Sequence, residues 1–563
     1  MEFSCRTDHV AGIAKSEVLE TAFETRSPCK TPFRLRLLSG ESTNCFASTR
    51  FPGITVLRLP PISPSSVQSL LEQARQSLLS RDYPRALATY EHLVNLRPAD
   101  AVVWFEYGNA ASGARKYDLA DRAWSKARKL GAHREDILTL IGHQYIGLRQ
   151  PDKAQACLRQ AASADPKAVN PRISLAVLLE KQHRLAESRA AVQQCLAIDS
   201  NDEQARYFLA VLDRREGSVD AAESRLRDLI TAGPRHPYVQ YACRYELAQL
   251  LDRAGAVDEA MLLLTEAKAI VGGLTDTAIL ISAYERDISS MRTLIKALPP
   301  DILSVWDGLF PTSVRSTVPP IAFLGGHPRS GTTLLEQVLD AHPDVVAFDE
   351  PTAFAELVHP AFSQPGELPS SRLNSARDAY LQALSRQLGA PLGTKTLVDK
   401  NPSLTLRLPL WLRAFPEVRV IMALRDPRDV ILSCYFQNLA LNGMNVNFLS
   451  LDRLVSHYID LMDVWLAVRQ WNGLRAIEVR YEDTVRSLET EGRRATEFLG
   501  LTWHESQARF YERSRSKHLY SPTYQDVTQP VYSRSLCRWP AYEKYLAPIL
   551  PRLEPYCRAF GYI

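Results

Sequence analysis

Arg329, Ser330, Gly331, Thr332 and Thr333 follow a short apolar run, Ile321 to Gly326, and precede Leu334 to Leu339, whose apolar residues fall at helical spacing. The apolar run reads as a buried parallel strand, and strand, glycine-bearing loop, helix is the physical recipe for holding a phosphate. Loop N–H groups and the positive end of the helix dipole converge on an anion at the helix start. Gly331 lets the backbone approach, while Arg329, Ser330, Thr332 and Thr333 supply donors. A second group follows another strand-like run, Val418 to Leu424: Arg425 at its end, Pro427 suited to open a helix, and Ser433 two helical turns later. Arg425 and Ser433 can reach one external phosphate. Each group alone has a plainer explanation, a structural turn for the loop and a surface salt bridge for Arg425; paired, they point to two anion positions beside one nucleotide.

Gly326 and Gly331 have the G-x-x-x-x-G spacing of a nucleotide triphosphatase P-loop, but Thr332 stands where that pattern requires lysine. Without a lysine to reach the β- and γ-phosphates, phosphoryl transfer from ATP is the weaker reading.

The two groups together resemble the sulfotransferase family, in which a P-R-S-G-T-T loop takes the 5′-phosphosulfate of the donor PAPS and an arginine followed eight residues later by a serine takes its 3′-phosphate. The likeness is to the tyrosylprotein sulfotransferases and the bacterial repeat-bearing sulfotransferases, and runs from about Ile321 to Tyr545. Leu339 to Val345, Asp399-Lys400-Asn401-Pro402, Val479 to Asp483, Thr523 to Tyr532 and Arg538-Trp539 continue it. The resemblance implies a P-loop-like α/β sulfotransferase domain, a parallel sheet flanked by helices, using PAPS, releasing PAP and needing no metal. It assigns Arg329, Ser330, Gly331, Thr332, Thr333, Arg425, Ser433, Tyr481 and Arg538 to the donor. For the chemistry it adds to Arg329 the base Glu350, Lys400 to steady the bridging oxygen, and Thr523 where a transition-state serine is expected. A carboxylate can serve a phenol, whose pKa is near ~10, if the proton moves as the bond to sulfur forms.

His342 is the competing base, because many small-molecule sulfotransferases use a histidine; beside Ala341 and Pro343 it also suits the end of the loop's helix, where histidines cap carbonyls. Gln437 replaces an arginine that the tyrosylprotein enzymes place four residues after the serine, and Thr352, Ala353, Phe354 and Ala355 occupy the segment where those enzymes carry arginines for acidic peptide. The acceptor implied is a hydroxyl, foremost a protein tyrosine or another phenol. The alternatives are a small-molecule or glycan hydroxyl, and a repeat adaptor whose transferase domain is inactive.

Ahead of this region the chain repeats. At the ~34-residue period of tetratricopeptide repeats, small residues stand in register at Ala74, Gly108, Gly142, Ala176 and Ala210. A second series, Ala86, Ala120, Ala154, Ser188 and Ala222, is followed four residues on by Tyr90, Trp124, Leu158, Val192 and Leu226. Small then bulky at i, i+4 is a helix face packing on its neighbour. Pro98, Pro166 and Pro234 fall at unit ends, and a sixth unit resumes after a four-residue insertion at Ala248, Ala260, Leu264 and Ala267. The segment resembles an all-α tetratricopeptide-repeat solenoid, whose concave face suits a peptide or protein partner.

The resulting division is a disordered leader over 1–62, a repeat arm over 63–275, a helical connector over 276–318 and the transferase domain over 319–563. A hydrophobic share of 45%, charged residues at 23% and a net charge of +4 are ordinary for a soluble protein and do not advertise nucleic-acid binding. The nine cysteines are scattered, with no C-x-x-C pair, which suits a reducing cytoplasm. No run approaches the ~18 apolar residues of a membrane span, and the leader lacks the apolar core of a secretion signal.

Overall fold

The computed structural model describes residues 64–309, 318–358, 370–516 and 526–563; the leader and Thr523 lie outside them. The chain divides between Leu175 and Ala176 into two compact units. In the first, helices pair as α1 (Pro64–Leu79) with α2 (Tyr83–Leu96), α3 (Ala101–Gly113) with α4 (Tyr117–Leu130), and α5 (Glu135–Gly147) with α6 (Pro151–Ala164). The division falls within α7 (Asn170–Lys181). The second unit holds α8 (Leu185–Ile198), α9 (Glu203–Arg215), α10 (Val219–Ala232), α11 (Pro237–Arg253) and α12 (Val257–Gly273), together with the whole sheet.

Both series of repeat positions face inward. Ala86, Tyr90, Ala120, Trp124, Ala154, Leu158, Ser188, Val192, Ala222 and Leu226 are fully buried. The small partner is small for a reason: a Cβ on Gly108 would meet Trp124 Nε1 at 2.3 Å, and one on Gly142 would meet Leu158 at 2.9 Å. Each first helix of a pair also ends on a left-handed residue, in turn Arg81, Arg115, Arg149, His183, Gly217 and Gly255. The next residue's N–H then reaches back five positions, as from Lys116 to Ala111 O and from Gln150 to Tyr145 O, both 2.8 Å.

Two helices, α13 (Thr277–Ala297) and α14 (Ile302–Gly308), lead to the sheet. Its strands are β1 (Ile321–Gly326), β2 (Val345–Asp349), β3 (Thr396–Lys400), β4 (Arg419–Leu424) and β5 (Ala476–Arg480), all parallel in the order β2-β3-β1-β4-β5. Between them run α15 (Thr332–Asp340) after β1, α16 (Ser370–Leu388) after β2, α17 (Leu408–Ala414) after β3, and α18 (Pro427–Tyr435) and α19 (Leu451–Val468) after β4. Strands covered on both faces read as continuous apolar runs. One face packs Ala322, Leu324, Val398 and Ile421 against Leu335 and Leu339 of α15. Another aromatic layer gathers Phe323, Phe354, Tyr380 and Trp411, with Phe354 and Trp411 stacked at 4.1 Å; each such side chain contributes ~1.5–3 kcal/mol by burial. The chain leaves β1 toward β2 on one side and β3 toward β4 on the other, so the order reverses beside β1, where open parallel sheets hold ligands at the strands' C-terminal ends.

Candidate functional site

All five strands deliver side chains or loops to that C-terminal edge: the Arg329 loop after β1, Glu350 after β2, Lys400 at the end of β3, Arg425 after β4 and Tyr481 after β5. Pairing sets their register, since Lys400 lies beside both Leu324 and Asp349, while Leu424 pairs with Arg480.

The loop is held open by its glycines. Gly326 has φ 139°, and a Cβ there would strike Ala423 O at 2.4 Å. Its N–H donates to Thr405 Oγ1, which in turn donates to Gly326 O, both at 2.8 Å. Gly331 caps α15 at φ 90°, and a Cβ there would lie 2.5 Å from the Tyr481 ring. With no side chain capping α15, the first N–H groups of that helix face the loop. Arg329 adopts φ 73°, a strained value for a non-glycine residue. Its carbonyl accepts from Arg425 Nη1 at 3.1 Å, and its Nε donates to Ser433 Oγ at 3.2 Å. Arg425 itself is buried, lies 4.8 Å over the Tyr481 ring and keeps an Nε with no hydrogen-bond partner among the described residues. Arg329, Arg425 and Ser433 therefore converge, with Arg329 between the other two. Burial lowers the Arg329 pKa, with Asp526 opposing, yet a guanidinium stays protonated in proteins. Two confined cations, an open helix terminus and an unfilled N–H fit a phosphorylated ligand. Ser330, Thr332 and Thr333 line the start of α15 as buried hydroxyls.

A second cluster surrounds Lys400. Its fully buried Nζ contacts Asp349 Oδ1, Glu350 Oε1 at 3.0 Å and Glu336 Oε2 at 3.8 Å. Burial works against its charge, but Asp349, Glu350 and Glu336 more than offset that and hold its pKa above the ordinary lysine value. Glu350 is the accessible member, 38% exposed, and its backbone is strained at φ 49° with its N–H on Lys400 O at 2.8 Å. A lysine touching an accessible carboxylate can steady one charge while the carboxylate takes a proton.

His342 stands apart from this cluster. It is buried, its Nε2 lies 2.9 Å from Thr502 O, and its Nδ1 accepts from the Asp344 N–H at 3.0 Å. Both ring nitrogens are committed to backbone, as the helix-end reading of its neighbours suggests. Arg538 has another partner: its Nη2 pairs with Asp252 Oδ1 of α11 at 2.7 Å, an oxygen that also accepts from Tyr542 at 2.6 Å. Tyr481 presents its ring, as a floor under Gly331 and Arg425. The Thr405 clamp and the carboxylates Glu336 and Asp349 are participants that residue spacing did not announce; Asp349 adjoins Glu350, but Thr405 carries no signal of its own. Among the described residues, no helix is long and apolar enough to cross a membrane, and no group of three or more His, Cys, Asp or Glu side chains is arranged to hold a metal ion.

Comparison with known proteins matches residues 320–505 to the family model described as "Sulfotransferase family" and residues 139–203 to "Tetratricopeptide repeat". An uncharacterized protein of Aquifex aeolicus is 28% identical over 249 residues, 41% of this chain and 32% of that protein. Protein-tyrosine sulfotransferase 2 of Gallus gallus is 28% identical over 271 residues, 43% of this chain and 72% of its own. For protein-tyrosine sulfotransferase A of Caenorhabditis elegans the figures are 26% over 251 residues, 40% and 64%. The chain thus spans less than two thirds of the length of the first and third of these relatives. Among solved structures, PilF of Pseudomonas aeruginosa aligns with 37% of this chain and 93% of its own at 14% identity and a TM-score of 0.30. The chain joins a segment that matches the tetratricopeptide-repeat model to one that matches the sulfotransferase-family model and is similar to the protein-tyrosine sulfotransferases.

Proposed function

We propose that the chain transfers a sulfuryl group from PAPS to an acceptor hydroxyl, foremost a tyrosine or another phenol. The observation that carries the reading is the convergence of Arg329, Arg425 and Ser433 on the Gly331 loop, with the Glu350–Lys400 pair on the neighbouring strand ends. In this reading Ser330, Gly331, Thr332 and Thr333 bind the 5′-phosphosulfate through the α15 terminus, and Arg425 and Ser433 bind the 3′-phosphate. PAPS supplies the activated sulfuryl group. Tyr481 shapes the floor, and Arg538 contributes to the donor site beside its Asp252 partner. Glu350 receives the acceptor's proton, Lys400 steadies the bridging oxygen, and Arg329 neutralises charge on the transferring group. Thr523 keeps its place at the sulfuryl group as part of the proposal.

A small-molecule or glycan acceptor is the second reading, favoured by Ala353 and Phe354, which are buried where cations for an acidic peptide are absent. The repeats offer a docking surface for a peptide or protein, and the buried unbridged cysteines Cys157, Cys243, Cys434 and Cys557 accord with a cytoplasmic setting. Incubating the protein with sulfur-labelled PAPS and a cell extract tests the proposal. Label in protein as tyrosine sulfate is the expected result; label only in small molecules or glycans selects the second reading, and no transfer sinks both.

A further inference from the structure

Beneath the Arg329 loop two buried imidazoles each have a ring nitrogen with no hydrogen-bond partner among the described residues. His327 is fully buried, with Nδ1 2.8 Å from Pro328 O. A carbonyl can only accept, so Nδ1 bears the proton and Nε2 is a bare lone pair. His457 on α19 is equally buried, with Nδ1 2.8 Å from the Tyr284 hydroxyl, which lies 2.8 Å from Asp460 Oδ2. Arg292 pairs with Asp460 Oδ1 at 2.5 Å and keeps that carboxylate an acceptor, so Tyr284 donates to it. The Tyr284 oxygen then accepts from His457, whose Nε2 is also a bare lone pair. Neither Nε2 has a hydrogen-bond partner among the described residues, and the ring centroids lie only 5.2 Å apart.

Among the described residues, the neighbouring polar groups are directed elsewhere. Cys434 lies on the Nδ1 side of His327, 3.8 Å away, with its thiol 3.4 Å from Pro328 O. Lys268 of α12 directs its ammonium to Phe448 O at 2.7 Å. Phe448 and Tyr458 wall the space with rings 6.5 Å and 5.1 Å from His327. Buried acceptors left unfilled are costly, and natural proteins fill them with ordered water.

We infer that His327 and His457 form a buried site for one shared water molecule, and that this site, strung through Tyr284 and Asp460 to α13, positions the Pro328–Arg329 end of the loop. Water suits the pair, because it carries two hydrogens for two acceptors on rings 5.2 Å apart and adds no charge where burial disfavours the protonated form of both imidazoles; His327 is pushed down to about 4. The mechanical link is short. The His327 ring holds the Pro328 carbonyl, and the Ser330 N–H closes on His327 O at 3.1 Å, so the seat of this ring fixes the turn that carries Arg329. The positioning role rests on the donor-loop reading above.

Nitrogen-15 correlation spectra of the histidine side chains, assigned with the variants below, test the site in the wild-type chain. Both rings should be Nδ1–H tautomers whose Nε2 accepts from water; an Nε2–H tautomer at either ring overturns the site. Tyr284→Phe, which deletes one oxygen, and His457→Phe, which keeps a similar ring, test positioning by titration with PAP and 5′-AMP well below the melting temperature. Both ligands carry the 5′-phosphate, so both should weaken by a common factor of about five, near 1 kcal/mol. Unchanged affinities in a folded variant, or loss for PAP alone, overturn positioning. If wild-type protein fails to bind PAP, the donor reading falls while the tautomers still decide the water site, as they do should neither variant fold.

Discussion

At the scale of single residues, the choice of base turns on what each side chain is free to do. Glu350 is accessible beside Lys400, whereas both nitrogens of His342 are engaged by backbone at Thr502 and Asp344. Glu350→Gln keeps the shape and removes the proton acceptor, so kcat should fall by roughly 10²- to 10⁴-fold with PAP affinity nearly unchanged. His342→Ala should instead lower the melting temperature and leave folded enzyme active. Full kcat in Glu350→Gln with loss in His342→Ala would reverse the assignment. Glu350 could be singled out from the family pattern. That Lys400 gathers Glu336, Asp349 and Glu350 could not be read, because the four come from α15, β2 and its loop, and β3, and strand register together with the packing of α15 on the sheet brings them together.

At the scale of elements, the loop works through a backbone shape that one substitution removes. Gly331→Ala puts a Cβ 2.5 Å from the Tyr481 ring at a φ of 90°. Strain of about 1–2 kcal/mol from the left-handed backbone alone, with the clash added, should weaken PAP and 5′-AMP alike by 10-fold or more. Unaltered titrations would mean that the loop does not cradle phosphate. The strands around it were legible because buried parallel strands are short unbroken apolar runs, and the repeats were legible because a small residue must face a bulky one in every unit. The left-handed turns at Arg81, Arg115, Arg149 and His183 escaped notice because arginine and histidine do not advertise that conformation as glycine does. Likewise the resemblance could assign Arg538 to the donor but not aim it, since its counter-ion Asp252 lies far back in the chain.

At the scale of the whole molecule, the last repeats belong to the same compact unit as the sheet. Asp252 accepts from Arg538 and Tyr542, Lys268 is buried against Phe448, and Tyr284 bonds to His457 and Asp460. Cutting before Asp276 strips Arg538, Tyr542 and the Phe448 carbonyl of these partners, and unsatisfied buried groups are strongly destabilising. A fragment from Val169 to Ile563 should therefore unfold cooperatively on heating, while one from Asp276 to Ile563 should aggregate or melt without a transition; equal stability of the two would show that the repeats are dispensable to the sheet. The central claim, a nucleotide with two phosphate positions at the strand ends, is tested most directly by calorimetric titration of PAP and 5′-AMP into wild-type and Arg425→Ala protein. Removing a charged donor from the 3′-phosphate should weaken PAP by roughly 10- to 100-fold more than 5′-AMP, which lacks that group and shares only the loss of the bond to the Arg329 carbonyl. Equal losses for both ligands, or no PAP binding by the wild-type chain, would contradict the account.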